Sequence, residues 1–447
     1  MTRERELWWL NPAWVVGIMG SLLVLAAYIV PDSMYRNYWK TPKYFDPHAA
    51  LITLACIGMF VFGAVVGSFR RSHIAAPQED AWADGIAWKL TLRVFNASFY
   101  LTIVGYVVWA GVAVSRGANL ALALGVLHGD KGASYVMKEV YMGTVSGVTT
   151  LTQLGIVCMV LAVLIGRVFG WRRVVFKCAI VLLLALVRAL MNSERLAVME
   201  LLVPAIALFM QLIVLGSQRF QGRLWPLLKA APVVGYTGLI GVFGASEYFR
   251  SWINFYQGGD LSFWQFVSLR LLGYYVTALN NGALLIQRIE PTGAPFLSLH
   301  VLWRAPLLGG VMNALYPNLA LASVETDPYM RYLTAEANPE FNNGGGFFLP
   351  IIDFGLAGAL LYWVLAGVMC GILYRMFQQR RPAGLLLYPI TFTSVIELSR
   401  IVYWAEGRVL LPMCVLTGIA LACSYYNSHK PIGANIAAKE PQWQPSH

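Results

Sequence analysis

The sequence has little charge for its length. Asp, Glu, Lys and Arg make up only 12% of its 447 residues, about half of the roughly 25% that is typical of a soluble domain. Hydrophobic residues make up 58%. Apolar runs of about 18 to 22 residues, the length of a membrane-spanning helix, recur along the chain. This composition excludes an ordinary soluble globular protein and predicts an all-α polytopic membrane protein.

The chain also lacks closely spaced cysteines. Its six cysteines lie inside or at the edges of apolar runs, without the spacing of a metal site or a disulfide framework. We therefore predict neither a metal nor another cofactor. The net charge of +11 is typical of basic loops beside membrane helices, so no nucleic-acid partner is expected. No small-residue cleavage pattern follows the first apolar run, and we expect that run to be retained as a helix.

Ten apolar runs are predicted to cross the membrane, which places both termini on the same side. Lys and Arg are concentrated in the segments on that side, and the positive-inside rule assigns it to the cytoplasm. The predicted divisions are seven helices in 1–247, a large periplasmic loop at 248–353, three helices in 354–426 and a cytoplasmic tail at 427–447. The ten predicted spans are 12–30, 49–69, 94–115, 149–168, 174–191, 196–216, 227–247, 354–376, 384–400 and 408–426.

The long loop between the seventh and eighth spans is not a simple polar segment. "LSFWQFVSLRLLGYYVTALNNGALLI" at 261–286 is apolar enough to form an amphipathic helix in the membrane interface or a re-entrant element. "NNGGG" at 342–346 predicts a flexible hinge before the next helix. The sequence shows no internal repeat and no separate soluble domain.

Several arginines lie at the outer ends of the predicted helices, where the positive-inside rule disfavours them. "MNSERLAVMELL" at 191–202 places Glu194 and Arg195 between two spans. An arginine at bilayer depth costs about 2.5–3.5 kcal/mol on insertion and therefore faces a partner or a polar cavity. Arg188, Arg400 and Arg408 also lie at the outer ends of predicted spans, and the long loop adds Arg270, within its apolar stretch, and Arg304.

Two interpretations of these arginines follow from the residues. Each arginine could pair with a nearby acid, and the available acids are Glu194, Glu200, Glu397 and Glu406. A shared anionic ligand explains better why arginines from distant segments lie on one side of the membrane. Because the guanidinium fork binds phosphate through two donors and keeps its charge when partly buried, we predict a lipid-linked phosphate or diphosphate as that ligand.

From about residue 185 onward, the chain resembles the Wzy-type polymerases of O-antigen and other oligosaccharide repeat units. The resemblance rests on the order and spacing of four segments. These segments are "NSERLAVMELLVPAIALF", "LRLLGYYVTALNNGALL", "NNGGGFFLPIIDFGLAGALLYWVLAGVMCGILYRMF" and "LSRIVYWAEGRVLLP".

The resemblance implies a glycosyltransferase of the bacterial inner membrane with its active site facing the periplasm. Such enzymes polymerise undecaprenyl-diphosphate-linked oligosaccharides into a surface polysaccharide without a metal, by an inverting type of transfer. Membrane lipids and a chain-length regulator protein are the other partners that it implies. Carried onto this chain, the resemblance implies that the donor diphosphate is held by Arg195, Arg270, Arg400 and Arg408, with Arg304 as a further candidate.

The general base for the acceptor hydroxyl stays open at this stage. Loop residues with a suitable side chain are His300, Glu325, Asp327, Glu336 and Asp353, although Asp353 is equally suited to cap the following helix. Aromatic and amide side chains such as Tyr274, Asn280 and Asn281 suit a sugar-binding cleft or a membrane-interface belt. We place Glu194, Asp327 and Glu336 among the predicted substrate-binding residues.

Three other functions compete with polymerisation. An O-antigen or pilin-type ligase has the same architecture and differs in its acceptor. A GT-C glycosyltransferase that uses a polyprenyl-linked donor usually has a pair of acids in the first external loop, where this chain has only the isolated Asp32 and Asp46. A lipid-glycan transporter favours repeated halves and broken helices at the membrane centre, neither of which the sequence shows.

Overall fold

The computed structural model describes residues 7–69, 85–128, 130, 132–145, 147–192, 194, 196–214, 225–259, 261–305, 308–317 and 328–428. Within these ranges the chain folds into helices and contains no strand. In chain order the helices are α1 (Pro12–Ile29), α2 (Asp32–Trp39), α3 (Pro47–Ser68), α4 (Gly85–Ser115), α5 (Leu120–His128), α6 (Ala133–Val136), α7 (Val148–Phe169), α8 (Val175–Asn192), α9 (Leu196–Phe209), α10 (Trp225–Lys229), α11 (Ala231–Glu247), α12 (Phe263–Arg288), α13 (His300–Arg304), α14 (Leu308–Leu315), α15 (Pro328–Glu336), α16 (Leu349–Gln378), α17 (Pro382–Glu397) and α18 (Gly407–Ser428).

Seven helices in the described ranges are long and apolar enough to cross a membrane. They are α1, α3, most of α4, α7, α8, α16 and most of α18. The chain is therefore a helical multi-pass membrane protein, as its composition predicts. The other three predicted spans fall on the shorter helices α9, α11 and α17, so the total of ten crossings stays a prediction.

Contacts between helix ends group those ends at two faces of the bundle. At one face, which we call the arginine face, Arg188 at the end of α8 donates to Thr152 in α7 (Nη1 to Oγ1, 3.2 Å). At the opposite face, Trp9 donates to the carbonyl of Leu228 (2.9 Å) and Gln211 donates to that of Phe377 (3.4 Å). This grouping is the one that the predicted order of crossings requires.

The most extensive contact between two helices in the described ranges joins α3 and α16. Asp46 begins α3 as its N-cap, accepting a hydrogen bond from the Ala49 amide (2.7 Å). Further along, a Gly-x-x-x-Gly pair at Gly63 and Gly67 faces a second pair at Gly367 and Gly371. A Cβ atom on any of these four glycines would lie 2.2 Å from a backbone oxygen of the other helix. Small residues at this spacing let two membrane helices pack with their backbones in contact.

The apolar stretch at 261–286 forms most of one continuous helix, α12. Ser262 and Gln265 form a capping box at its start, with each side chain bonded to the other residue's backbone. The helix runs for 26 residues, or about 39 Å at 1.5 Å per residue. Because the chain does not reverse within α12, a re-entrant hairpin over this stretch is excluded.

The glycines of "NNGGG" are packed, and the expectation of a flexible hinge is wrong for this structure. Gly344, Gly345 and Gly346 are buried. Gly345 has a φ of +68°, and a Cβ atom on Gly346 would lie 2.2 Å from the carbonyl oxygen of Leu398. Glycine suits both positions, because it adopts a positive φ at little cost and has no side chain to obstruct a neighbouring backbone. The segment is a tightly held turn between α12 and the chain near Leu398.

Candidate functional site

The arginine face holds a cluster of ion pairs between Arg188 and Arg408, which we call the clasp. Glu194 lies between the two arginines. Its Oε2 accepts from Nε of Arg188 (2.8 Å), and its Oε1 accepts from Nη2 of Arg408 (2.8 Å). Arg408 also donates through Nη1 to Glu200 (2.7 Å). The clasp therefore ties the end of α8, the start of α9 and the start of α18 together.

Polar and aromatic groups from α4 and α7 complete the clasp. With its amide oriented to satisfy both ends, Gln153 donates to Glu200 (3.1 Å) and accepts from Arg188 (3.1 Å). The Arg188 guanidinium also lies 5.4 Å from the Trp109 ring centre, within the range of a cation–π contact. Burial raises the pKa of Glu194, but the positive charges of Arg188 and Arg408 outweigh it and lower that pKa from 4.5 to about 2.

A second group of charges surrounds Arg270 in the middle of α12. Its Nε donates to Glu247 (2.8 Å), whose side chain is fully buried, and its Nη1 donates to Glu340 (3.0 Å), whose side chain is half exposed. The rings of Phe266 and Phe341 lie 5.9 and 5.5 Å from the guanidinium carbon. Arg270 is thus held by two carboxylates and two aromatic rings.

Arg400 pairs with a single carboxylate among the described residues. Its Nη1 donates to Glu397 (2.7 Å), while its Nε is buried and has no hydrogen-bond partner among the described residues. The rings of Tyr274 and Tyr275 lie 5.6 and 5.7 Å from its guanidinium carbon. The side chain as a whole remains 23% exposed.

Aromatic rings connect these groups. The Tyr274 ring, which lies against Arg400, is 5.1 Å from the Phe341 ring, which lies against Arg270. The two rings therefore bridge Arg400 and Arg270. Tyr403 lies near both Glu200 and Glu397. The ion pairs form three groups: Arg188 and Arg408 with Glu194 and Glu200, Arg270 with Glu247 and Glu340, and Arg400 with Glu397.

The ion-pair interpretation of the arginines finds a counterpart in this geometry. Arg270, Arg400 and Arg408 each pair with an acid, as the ion-pair interpretation predicts. Tyr274 lies against Arg400, and a ligand shared by the arginines stays a prediction. Glu247 and Glu340 could not be recognised as partners of Arg270 from the sequence. Their only signal was a charge at the end of the seventh apolar run and one in the long loop.

His300 begins α13, which packs against the Tyr403–Ala405 turn and against α18. Its ring contacts Phe296 edge-on, with centroids 5.7 Å apart. These contacts place the histidine's helix beside the start of α18, where Arg408 lies. Arg195, Glu325 and Asp327, together with the side chain of Arg304, lie outside the described part of the chain.

Asp353 neither caps the following helix nor offers a free carboxylate. The carboxylate accepts from the amides of Leu297 and Ser298 (3.0 and 2.7 Å) and from the Ser298 hydroxyl (2.5 Å). Two residues later, α16 is kinked at Gly355, where φ is +71° and ψ is 178°. Asp353 therefore anchors the chain that leads to α13, and its role as a general base is not supported.

The amides of Asn280 and Asn281 are engaged by the protein's own backbone. Oδ1 of Asn280 accepts from the amides of Tyr44 (2.6 Å) and Phe45 (3.0 Å), and Nδ2 of Asn281 donates to the carbonyl of Asn343 (3.0 Å). These contacts assign both residues to holding chain segments against α12, which corrects the prediction that they bind a sugar.

Glu336, another predicted substrate-binding residue, forms a surface ion pair. Its Oε2 accepts from Nη2 of Arg288 (2.8 Å), and the Arg288 side chain is 48% exposed. The pair lies at the ends of α12 and α15. This arrangement gives Glu336 a local partner of its own.

Comparison of the chain with protein-family models, with curated proteins and with solved structures finds no match.

Proposed function

We propose that the protein is a membrane glycosyltransferase that polymerises polyprenyl-diphosphate-linked oligosaccharide repeat units. The arginine face is the periplasmic side of a bacterial inner membrane in this proposal. The observation that carries it is Arg400, a partly exposed arginine whose buried Nε has no hydrogen-bond partner among the described residues. An arginine at membrane depth with unused donors is suited to an anionic headgroup.

The roles of the arginines follow from their partners. Arg400 contacts the donor diphosphate through the donors that Glu397 leaves unused. Arg270 and Arg408 each donate to two carboxylates, so they position the site and do not bind the donor directly. This division refines the expectation that Arg195, Arg270, Arg400 and Arg408 together hold the diphosphate.

In the reaction, the acceptor hydroxyl oxygen forms a bond to the anomeric carbon of the donor sugar. The bond from that carbon to the diphosphate oxygen breaks, and the electron pair leaves with the diphosphate. A guanidinium already in place stabilises the charge that grows on this leaving group more in the transition state than in the ground state. No metal enters the proposed mechanism.

The acceptor hydroxyl loses a proton during the transfer, and His300 is the base that we propose. The position of α13 against the Tyr403–Ala405 turn and α18 supports this role. An imidazole changes charge near neutral pH and is therefore suited to accept a proton under physiological conditions. With Asp353 occupied by Leu297 and Ser298, His300 is the better candidate of the two.

The proposal is tested with purified protein in lipid vesicles, supplied with an undecaprenyl-diphosphate-linked oligosaccharide. We expect a ladder of products that are longer by whole repeat units, separated by electrophoresis. In a second assay a different acceptor is added, and transfer of the glycan to that acceptor without lengthening would identify a ligase. Recovery of the intact substrate in both assays would contradict glycosyl transfer.

A further inference from the structure

The segment that leads into α13 is held at the kink of α16. At Gly355 the backbone leaves the helical conformation. Just before the kink, the carbonyl of Asp353 accepts a hydrogen bond from the Gly293 amide (2.7 Å). The carbonyl of Ile352 accepts one from the Thr292 amide (3.0 Å). Buried backbone carbonyls need a partner, and here the partners are amides of the segment before α13. The start of that segment is therefore attached to α16.

A hydroxyl further along α16 holds the end of the same segment. Tyr362 donates a hydrogen bond to the carbonyl of Ser298 (3.3 Å). The Ser298 hydroxyl in turn donates to Asp353 (2.5 Å), and Ser298 is fully buried. Because Ser298 lies two residues before His300, α16 fixes the entry to α13 through both the side chain and the carbonyl of one residue.

The Tyr362 hydroxyl also joins α16 to the turn between the last two long helices. Trp404 donates its indole N–H to that hydroxyl (2.8 Å). An indole nitrogen only donates, so the hydroxyl accepts from Trp404 and keeps its own proton for the Ser298 carbonyl. Trp404 lies midway between Arg400 and Arg408 in the chain. One hydroxyl thus connects the turn between these arginines with the helix that carries the proposed base.

We propose that Tyr362 is a positioning residue that fixes His300 relative to the turn of Trp404. This inference rests on the proposed function, in which His300 takes the acceptor's proton, and adds the group that sets where the base lies. A general base works only within hydrogen-bond reach of the proton that it accepts. Misplacement by about 1 Å can lower a rate about a hundredfold. Tyr362 acts through His300 and not on the substrate.

The test removes the hydroxyl and keeps the ring. The Tyr362 ring packs edge-on against Trp363, with centroids 5.0 Å apart, and Tyr362→Phe preserves that contact. We expect kcat for glycan lengthening to fall about tenfold to a hundredfold, while the Kd of farnesyl diphosphate, measured with full-length protein in nanodiscs, stays unchanged. Tyr44→Phe is the matched control, because it also removes a hydroxyl that donates to a backbone carbonyl, that of Glu336 (3.1 Å). It should keep the wild-type kcat.

A double variant separates positioning from a general structural role. In a His300→Gln background, Tyr362→Phe should lower the rate no further, because two changes that act through one group are not additive. Equal fold-losses in the wild-type and His300→Gln backgrounds would overturn the proposal, as would a wild-type kcat for Tyr362→Phe. Trp404→Phe removes the donor to the Tyr362 hydroxyl, so it tests the same contact from the neighbouring turn and should give a smaller loss of the same kind.

The position of His300 is also measured without glycan transfer. Diethyl pyrocarbonate modifies accessible imidazoles, and its reaction with His300 is followed by mass spectrometry. Because loss of one hydrogen bond loosens the segment, we expect His300 to react about two- to tenfold faster in Tyr362→Phe than in the wild type or in Tyr44→Phe. An unchanged reaction rate would overturn the positioning. A faster reaction in a protein that transfers no glycan would leave the positioning standing and overturn the proposed function alone.

Discussion

Arg408 Nη2 lies 2.8 Å from Glu194 Oε1, although 214 positions separate the two residues in the chain. The same guanidinium also bonds to Glu200 at 2.7 Å. Arg408 therefore closes a ring of charges at the point where the last span of the chain meets the turn between α8 and α9. If one member of such a group is removed, the opposite charges that it paired with stay in place without a partner.

The first prediction concerns the stability that Arg408 provides. Arg408→Ala leaves Glu200, which is 3% exposed, without its guanidinium partner, and breaking a buried ion pair costs about 3–5 kcal/mol. We expect a clear drop in the thermal unfolding midpoint in detergent. The control is Arg36→Ala, which removes an exposed pair with Asp32; such pairs contribute little to stability because water and salt screen them. Equal midpoints for the two variants would show that the clasp does not stabilise the fold.

The second prediction is a dependence of stability on pH through Glu194. Because its pKa falls from 4.5 to about 2 on folding, the ionised carboxylate stabilises the protein above pH 4.5. That stability is lost as the pH falls from about 4.5 towards 2, and it amounts to about 3 kcal/mol. Denaturation midpoints measured from pH 7 to pH 2 should decline in this window for the wild type and decline less for Glu194→Gln. Parallel curves for both proteins would refute the assignment.

The third prediction concerns the packed glycine turn. Gly346→Ala places a methyl group against the Leu398 carbonyl, and overpacking of this kind costs about 1–3 kcal/mol. Gly58→Ala is the matched control, since nothing lies within 4 Å of its added Cβ atom. We expect Gly346→Ala to unfold at a lower temperature than Gly58→Ala. Should it instead keep wild-type stability and only slow turnover, the segment would act as a hinge after all.

The fourth prediction separates His300 from donor binding. His300→Gln removes the proposed base, and loss of a general base lowers the rate by about a hundredfold or more. Binding of farnesyl diphosphate should not change, because the base acts on the acceptor. His48→Gln, at an exposed position in the first turn of α3, is the control and should keep wild-type activity. A normal rate of glycan lengthening in His300→Gln would assign the base elsewhere.

The sequence predicted the helical membrane architecture because long apolar runs report directly on the bilayer. It also selected Arg270, Arg400 and Arg408, since a charge inside an apolar stretch or at the end of a span is conspicuous. The acidic partners of these arginines were harder to predict from the sequence. Glu247 and Glu340 lie 23 and 70 positions from Arg270, and only the packing of α11, α12 and the loop brings them together.

Composition was misleading where a residue's role depends on what packs against it. Three adjacent glycines are typical of a flexible segment, but Gly346 is required by the close approach of the Leu398 backbone. Asn280 and Asn281 have the amides that a sugar site uses, yet those amides satisfy backbone groups inside the protein. No pattern within one segment reveals which backbone groups another segment leaves unpaired.

The most direct measurement compares the rates of glycan lengthening by Arg400→Lys and Arg288→Lys with that of the wild-type protein. Lysine keeps the charge but loses the planar set of donors with which Arg400 is proposed to hold the donor diphosphate. We predict a loss of about a hundredfold for Arg400→Lys, the effect of removing one transition-state donor. Arg288→Lys, at a surface ion pair, should stay close to the wild-type rate. A wild-type rate for Arg400→Lys would contradict the account.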